Sequence, residues 1–131
     1  MLIKSSDYCF ACGKKNPIGF QLAIWETENG VKTEFIVKKE FEGYKDIVHG
    51  GIVATLLDEM IAWACRKKGY HAVTAELTVR YKKPMLINQK YFAFGEIKKI
   101  HHRLIIGESK IVDEIDNLIA FAQAKMYITN Q

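Results

Sequence analysis

The residues best suited to chemistry lie in the middle of the chain, where His49, Gly50 and Gly51 precede a long apolar segment. The first turn of a helix leaves backbone N–H groups unpaired at the positive end of the helix dipole, so it can hold an anion or a developing oxyanion. Glycines there would let a ligand approach the backbone closely. Taken alone, the three residues could equally form a tight turn beside a loop histidine.

Two acids, Asp58 and Glu59, lie within the apolar segment that follows. An unpaired carboxylate is costly in such surroundings, and apolar neighbours one turn away should raise the pKa of Asp58. Periodicity does not decide which acid is functional. One of them could lie at a solvated edge while the other forms an ion pair.

The spacing of the glycine and the acid indicates a site built from two chains. Asp58 follows Gly50 by eight residues, which corresponds to about 12 Å along a helix axis, so one substrate carbonyl cannot contact both in a single chain. If two such helices pack antiparallel across a two-fold axis, the amide of one and the acid of the other converge. The chemistry would then require a dimer.

The elements that must position these groups follow from the sequence pattern. The segment 50–67 predicts a buried helix, because it contains no proline and is closed by basic residues and Gly69. Runs of β-branched and aromatic residues between turn signals predict strands at 20–27, 31–38, 72–81, 90–100, 103–113 and 117–128. The order β-β-α-β-β-β-β predicts an α+β fold in which one curved antiparallel sheet wraps the helix.

Length and composition limit the classes of protein. The 131 residues, of which 49% are hydrophobic and 26% charged, predict one globular domain over 1–131. No apolar run approaches the roughly 20 residues that span a bilayer, and no secretory signal is evident, which favours a cytoplasmic protein without membrane contact. The net charge of +4 is scattered along the chain, which disfavours nucleic-acid binding.

The N-terminal segment 1–19 is predicted to be a loop that contains Cys9, Cys12 and Gly13. The two cysteines have the spacing of half a zinc site, but no second pair of ligands follows in the sequence, and Cys65 lies within the predicted helix. A redox motif would follow a strand and open a helix, which the proline and glycines of this segment oppose. We therefore expect a structural role for this loop and no metal site.

Three motifs together resemble one family. They are Cys9-Phe-Ala-Cys12-Gly13 with Asn16-Pro17-Ile18-Gly19, Val48-His49-Gly50-Gly51 followed by Leu57-Asp58-Glu59, and the strand 74–81 that ends near Pro84. Over about 8–128 the chain is similar to the hotdog-fold acyl-CoA thioesterases, in the branch of the phenylacetate-pathway (PaaI-like) enzymes. The resemblance implies the hotdog fold, an acyl-CoA substrate, a homodimer with active sites at the interface and, in many members, a dimer of dimers.

The resemblance also implies roles for single residues. Asp58 matches the catalytic carboxylate, Gly50 the residue whose N–H polarises the thioester carbonyl, and His49 the histidine beside it. Thr74 matches a Ser or Thr near the nucleophilic water, contributed with Asp58 by the partner chain. Asp58 would act as general base or as nucleophile, with no cofactor beyond the coenzyme A of the substrate. Gly43 stands where one branch carries Asn, so that helper has no evident equivalent in this chain.

Further candidates for substrate binding are Gly51, Glu59, Arg80, Lys82 and Lys83. The three basic residues follow Thr74 near the end of its strand, where they could contact the phosphates of coenzyme A. Strand alternation predicts that Arg80 and Lys82 lie on the Thr74 side of the strand and Lys83 on the other.

Two other functions stay open at this point. One is a non-catalytic acyl-CoA binding protein or sensor on the same fold, which would bind the ligand without hydrolysis. The other is a hotdog dehydratase, which would require a histidine that acts with an acid as the base pair. A helix that begins with His-Gly-Gly suits carbonyl polarisation better.

Overall fold

In the computed structural model, which describes residues 6–129, an antiparallel sheet curls around a single long helix. The elements are β1 Trp25–Glu26, β2 Val31–Ile36, α1 Gly50–Lys67, β3 Ala72–Tyr81, β4 Lys90–His101, β5 Leu104–Asp113 and β6 Leu118–Ile128, with a 3-10 turn at Lys39–Phe41. The strands lie in the order β1-β2-β4-β5-β6-β3. The predicted α+β class and element order are confirmed.

Helix α1 fills the concave side of the sheet. Its buried side chains form the central layer of the core: Val53, Leu56, Leu57, Met60, Ile61, Ala64 and Cys65. Gly95 of β4 permits close contact, since a Cβ at that position would lie 2.3 Å from the backbone oxygen of Met60. The buried hydroxyl of Ser109 on β5 donates a 2.8 Å hydrogen bond to the carbonyl of Leu57. These contacts fix the helix backbone against the sheet, so groups on α1 have defined positions.

The first predicted strand, 20–27, is wrong over most of its length, because only Trp25–Glu26 pairs with β2. The N–H groups of Phe20 and Leu22 donate to the carbonyls of Phe10 and Ala11 in the N-terminal loop, each at 3.0 Å. This segment therefore uses its backbone to hold the loop rather than to extend the sheet. Of the other strands, β2 ends two residues earlier than predicted, and the remaining ends agree within one residue.

Strand β3 lies at an edge of the sheet and pairs only with β6 among the described residues. Its register shifts between Thr74 and Glu76, so Ala75 is the extra residue of a β-bulge. Before the bulge Thr74 faces α1, and after it Leu77 and Val79 pack against the core. The bulge therefore reverses the alternation along the strand.

The N-terminal loop is described from residue 6, and residues 1–5 of the predicted loop lie outside the described residues. The described part of the chain contains no helix that is long and apolar enough to cross a membrane.

Candidate active site

Among the described residues, the start of α1 carries one backbone N–H without a hydrogen-bond partner. His49 is the N-cap, and its Nδ1 accepts a 3.0 Å hydrogen bond from the N–H of Gly51. The N–H of Ile52 donates to the carbonyl of His49 at 2.9 Å. Within residues 6–129 nothing accepts the N–H of Gly50, which is exposed at the positive end of the helix dipole. Gly50, rather than Gly51, is therefore free to donate to a ligand.

The preceding loop fixes the orientation of this turn. The N–H of His49 donates to the carbonyl of Phe41 at 3.0 Å, and the N–H of Gly43 donates to that of Ile47 at 2.8 Å. A Cβ at Gly43 would lie 3.0 Å from the Cα of His49. Glycine at position 43 thus lets the loop pack directly on His49, which gives a structural reason for glycine at this position. On the other side, the hydroxyl of Tyr81 donates to the carbonyl of Gly50 at 2.7 Å.

Asp58 lies two turns further along α1, where it faces β3. The hydroxyl of Thr74 donates to Asp58 Oδ1 at 2.7 Å, so one carboxylate oxygen is held and the other is left for a further contact. Burial raises the pKa of Asp58 above its ordinary value, the hydrogen bond from Thr74 opposes that increase, and the charge of Glu59 adds to it. A half-buried carboxylate of raised basicity beside a hydroxyl is suited to removing a proton from water.

Glu59 points to a different part of the molecule. Its Oε2 accepts a 3.1 Å hydrogen bond from Trp63 Nε1 and lies 3.6 Å from the Sγ of Cys9, which donates to it. The side chains of the two neighbouring acids therefore point in different directions, that of Asp58 towards β3 and that of Glu59 towards the N-terminal loop. The substrate-binding role that the sequence suggested for Glu59 finds no support in this arrangement.

Cys12 and Cys65 are not activated as nucleophiles. Burial, with the adjacent Glu59 and Cys9, raises the pKa of Cys12 to about 12, and burial raises that of Cys65 to about 11. Both thiols are protonated near neutral pH, and the thiolate is the nucleophilic form. The chemistry of the site therefore rests on oxygen and backbone groups.

A cavity of about 800 Å³ adjoins the start of α1. His49, Gly50, Tyr81, Lys82 and Lys83 are among the residues that line it. The two lysines extend from a backbone that is held by the carbonyl of Ile119, which accepts both of their N–H groups. An extended ligand whose carbonyl contacted Gly50 would therefore meet positive charge at the same cavity.

Arg80 does not belong to this cavity, and the prediction that it shares a face with Thr74 is wrong. The bulge at Ala75 reverses the alternation, so Arg80 lies on the outer face of the sheet, where it lines a separate depression with Thr78 and Phe121. Alternation alone could not reveal this, because it assumes a regular strand.

Comparisons with known proteins agree with this fold. A family model described as the thioesterase superfamily matches residues 45–120. A protein of Archaeoglobus fulgidus that is named as an esterase is 27% identical over 135 residues, which span 100% of this chain and 85% of that protein. An acyl-coenzyme A thioesterase of Mus musculus is 27% identical over 109 residues, which span 82% of this chain but only 46% of the mouse protein.

Solved structures show the same fold. A thioesterase superfamily protein superposes with a TM-score of 0.84 at 20% identity, over 89% of this chain and 61% of that one. The PaaI protein of the E. coli phenylacetic acid degradation operon superposes with a TM-score of 0.77 at 19% identity, over 82% of this chain and 83% of that one. These likenesses confirm the hotdog architecture predicted from the sequence.

Proposed function

The chain belongs to the thioesterase superfamily, and from this premise we propose that it hydrolyses the thioester bond of an acyl-coenzyme A to a free acid and coenzyme A. The observation that carries the proposal is the N–H of Gly50 at the start of α1, which has no hydrogen-bond partner within residues 6–129 and lies at a cavity to whose lining Lys82 and Lys83 contribute. The mouse relative is named as an acyl-coenzyme A thioesterase, which supports this substrate class.

The first step places the thioester oxygen against the N–H of Gly50. Negative charge develops on that oxygen as water adds to the carbonyl carbon, and a donor fixed in advance stabilises it without reorganisation. His49 holds the turn in place, because its Nδ1 engages the adjacent N–H of Gly51. Gly50 thus polarises the carbonyl, and His49 acts as a positioning residue.

Asp58 accepts a proton from the attacking water while Thr74 holds its Oδ1. The tetrahedral intermediate then collapses, the carbon–sulfur bond breaks, and the coenzyme A thiolate leaves and takes up a proton. In the alternative route Asp58 attacks the carbonyl itself and forms a mixed anhydride that water hydrolyses. The coenzyme A thiolate leaves when that anhydride forms. If water then attacks the Asp58 carboxyl carbon, a single turnover in ¹⁸O-labelled water places the label in Asp58 and leaves the product acid unlabelled, whereas the general-base route places the label only in the product acid.

The two groups must come from two chains. Gly50 and Asp58 lie on one helix, separated by about 12 Å along its axis, so they reach one carbonyl only if α1 of a second copy packs alongside. Strand β3, which carries Thr74, has one edge without a partner strand among the described residues, and its Val73 and Tyr81 are exposed at 42% and 51%. We infer a homodimer in which Gly50 of one protomer serves Asp58 and Thr74 of its partner.

The nucleotide part of coenzyme A suits the basic rim of the cavity. Lys82 and Lys83 offer positive charge to phosphates, whereas Arg80 lies on the opposite face. Among proteins of the same fold, one from Streptococcus pneumoniae was solved with coenzyme A and one from Streptococcus mutans bound to acetyl-CoA. Two further structures of the pneumococcal protein replace a threonine and an aspartate sixteen positions apart, which is the separation of Thr74 and Asp58.

A dehydratase is less compatible with the site. That chemistry needs a histidine able to act as a base beside an acid. In this chain Nδ1 of His49 already accepts the N–H of Gly51, and Asp58 is paired with Thr74 on another turn of the helix. No second histidine lies among the residues that line this cavity in the described chain.

Thiol release from a panel of aromatic, short-chain and long-chain acyl-CoAs tests the proposed function. We expect the wild-type protein to turn over at least one class of acyl group, and the preferred class identifies the acyl specificity. If acyl-CoAs bind, as measured by calorimetry, but none is hydrolysed, the protein is a binding protein and the enzymatic proposal is wrong.

The pH profile tests the link between Thr74 and Asp58. Hydrolysis requires ionised Asp58, and the Thr74 hydroxyl lowers a pKa that burial raises. Thr74→Val removes the donor but keeps the shape, so the pKa should rise further and the acidic limb of kcat/KM should move to higher pH. Thr74→Ser keeps the hydroxyl and should leave the limb in place. If the acidic limb of the Thr74→Val profile does not move, or moves to lower pH, the hydrogen bond from Thr74 does not lower the pKa of Asp58.

A further inference from the structure

Outside the site described above, one cluster of reactive side chains takes no part in the proposed hydrolysis. It consists of Cys9, Cys12 and Glu59, which come from the N-terminal loop and from α1, fifty residues apart. The two Sγ atoms and a carboxylate oxygen all lie within 4.8 Å of one another. All three residues are half-buried, so the cluster is shaped by the fold yet still reached by solvent.

The loop holds both sulfurs on one side of a tight turn. The N–H of Gly13 donates to the carbonyl of Cys9 at 2.9 Å, and the N–H of Cys12 donates to the Sγ of Cys9 at 3.4 Å. A Cβ at Gly13 would lie 2.4 Å from the carbonyl oxygen of Asp7, so only glycine fits there. The N–H of Cys12 thus holds the Sγ of Cys9 in place beside the carboxylate of Glu59, from which it lies 3.6 Å.

Glu59 is oriented towards the sulfurs by a fixed partner. Trp63 lies one turn along α1, and its Nε1 donates to Glu59 Oε2 at 3.1 Å. Such a hydrogen bond to a ligating carboxylate is the usual outer support of a metal site. No lysine, arginine or histidine within residues 6–129 forms an ion pair with Glu59. An acid amid an apolar helix thus faces two thiols rather than a protein cation.

The donor set selects the kind of ion. Two thiolates with one carboxylate suit a borderline divalent ion such as Zn²⁺, whereas Ca²⁺ and Mg²⁺ require oxygen ligands. We propose that Cys9, Cys12 and Glu59 bind Zn²⁺ through three protein ligands, with solvent in the fourth position, and that the ion ties the N-terminal loop to α1. Binding replaces the two thiol protons, which are released to solvent.

Metal content of the reduced, full-length protein tests this site. After incubation with Zn²⁺ and dialysis, elemental analysis should find about one ion per chain, as for a single mononuclear site. Co²⁺ in place of Zn²⁺ should give the sulfur-to-metal charge-transfer absorption of thiolate coordination. Cys9→Ser and Cys12→Ser should abolish that absorption and weaken Zn²⁺ binding by more than the roughly ten- to hundredfold cost of losing an outer partner.

Two further variants keep the test decisive. Glu59→Gln retains the side-chain size and an acceptor for Trp63, so it should fold while it binds Zn²⁺ more weakly. Cys65→Ala removes the buried helix cysteine and leaves all three ligands, so it should bind as the wild type does. If the reduced wild type retains no more Zn²⁺ than the Cys9→Ser, Cys12→Ser double variant, or if Co²⁺ shows no thiolate band, the proposed site is wrong. Neither result bears on thioester hydrolysis.

Discussion

Replacing Asp58 by asparagine should lower kcat/KM for thioester hydrolysis by about a hundredfold or more, because a positioned base contributes at least that much. Asparagine has the same size, and its Oδ1 still accepts the Thr74 hydroxyl, but it cannot take a proton from water. Thiol release by the variant and the wild type, over the preferred acyl-CoA and at several pH values, measures the effect.

Stability provides a second readout for the same variant. Burial raises the pKa of Asp58 in the folded state, so the ionised carboxylate disfavours folding at pH values above the pKa of the unfolded chain. The asparagine side chain carries no charge, and the Asp58→Asn variant should therefore unfold at a melting temperature equal to or above that of the wild type at neutral pH. Loss of activity together with a lower melting temperature would instead indicate a structural role.

Glu59, the acid next to Asp58, provides a matched control for the Asp58→Asn variant. Glu59→Gln removes the same charge one residue further along α1, but the side chain faces Cys9 and Trp63. Its activity should stay well above that of Asp58→Asn. If Glu59→Gln is the more damaged of the two, the assignment of the base to Asp58 is wrong.

Gly50→Pro should lower kcat by about a hundredfold to a thousandfold, which is the usual cost of removing one oxyanion donor. Proline removes the N–H at this position and adds a ring, and it is well tolerated at the first residue of a helix. His49 already has φ of −56° and ψ of 135°, a conformation that a residue before proline adopts. The helix should therefore keep its start while the carbonyl loses its donor. Steady-state thiol release measures the loss, and circular dichroism verifies the helix.

Gly50→Ala is the control for added bulk. A Cβ at position 50 would lie 3.6 to 3.7 Å from the ring and hydroxyl of Tyr81, which is ordinary van der Waals contact. Alanine keeps the N–H, so this variant should retain far more activity than Gly50→Pro. Equal activity of the two variants would show that the Gly50 N–H is not the donor.

Much of the fold could be predicted because its signals are local. Helix α1 begins at the two adjacent glycines and ends at the basic residues before Gly69, as the sequence predicted, and β3 has the predicted bounds. The prediction of a strand at 20–27 is wrong over most of its length, because this segment pairs its backbone with Phe10 and Ala11 of the N-terminal loop. Pattern within a strand carries no information about which distant segment will take its hydrogen bonds.

The site shows the same division between local and long-range information. The spacing of Gly50 and Asp58 along one helix is local, and the sequence predicted it correctly as a separation within the chain. The family resemblance implies only that Thr74 lies near the attacking water, and its hydrogen bond to Asp58 is seen first in the structure. The partner of Glu59 could not be predicted, because Cys9 lies fifty residues away. The outward position of Arg80 depends on a bulge that no alternating pattern reveals.

Each proposed active site combines Gly50 of one protomer with Asp58 of its partner, and subunit mixing distinguishes this arrangement from a site within one chain. Gly50→Pro and Asp58→Asn proteins are unfolded together, refolded at equal concentration and assayed for thiol release, with each variant treated alone as control. A heterodimer then contains one intact site and one doubly defective site, so the mixture should recover about a quarter of wild-type activity. If native mass spectrometry shows heterodimers and the mixture stays as inactive as its components, the site does not combine Gly50 and Asp58 of two chains.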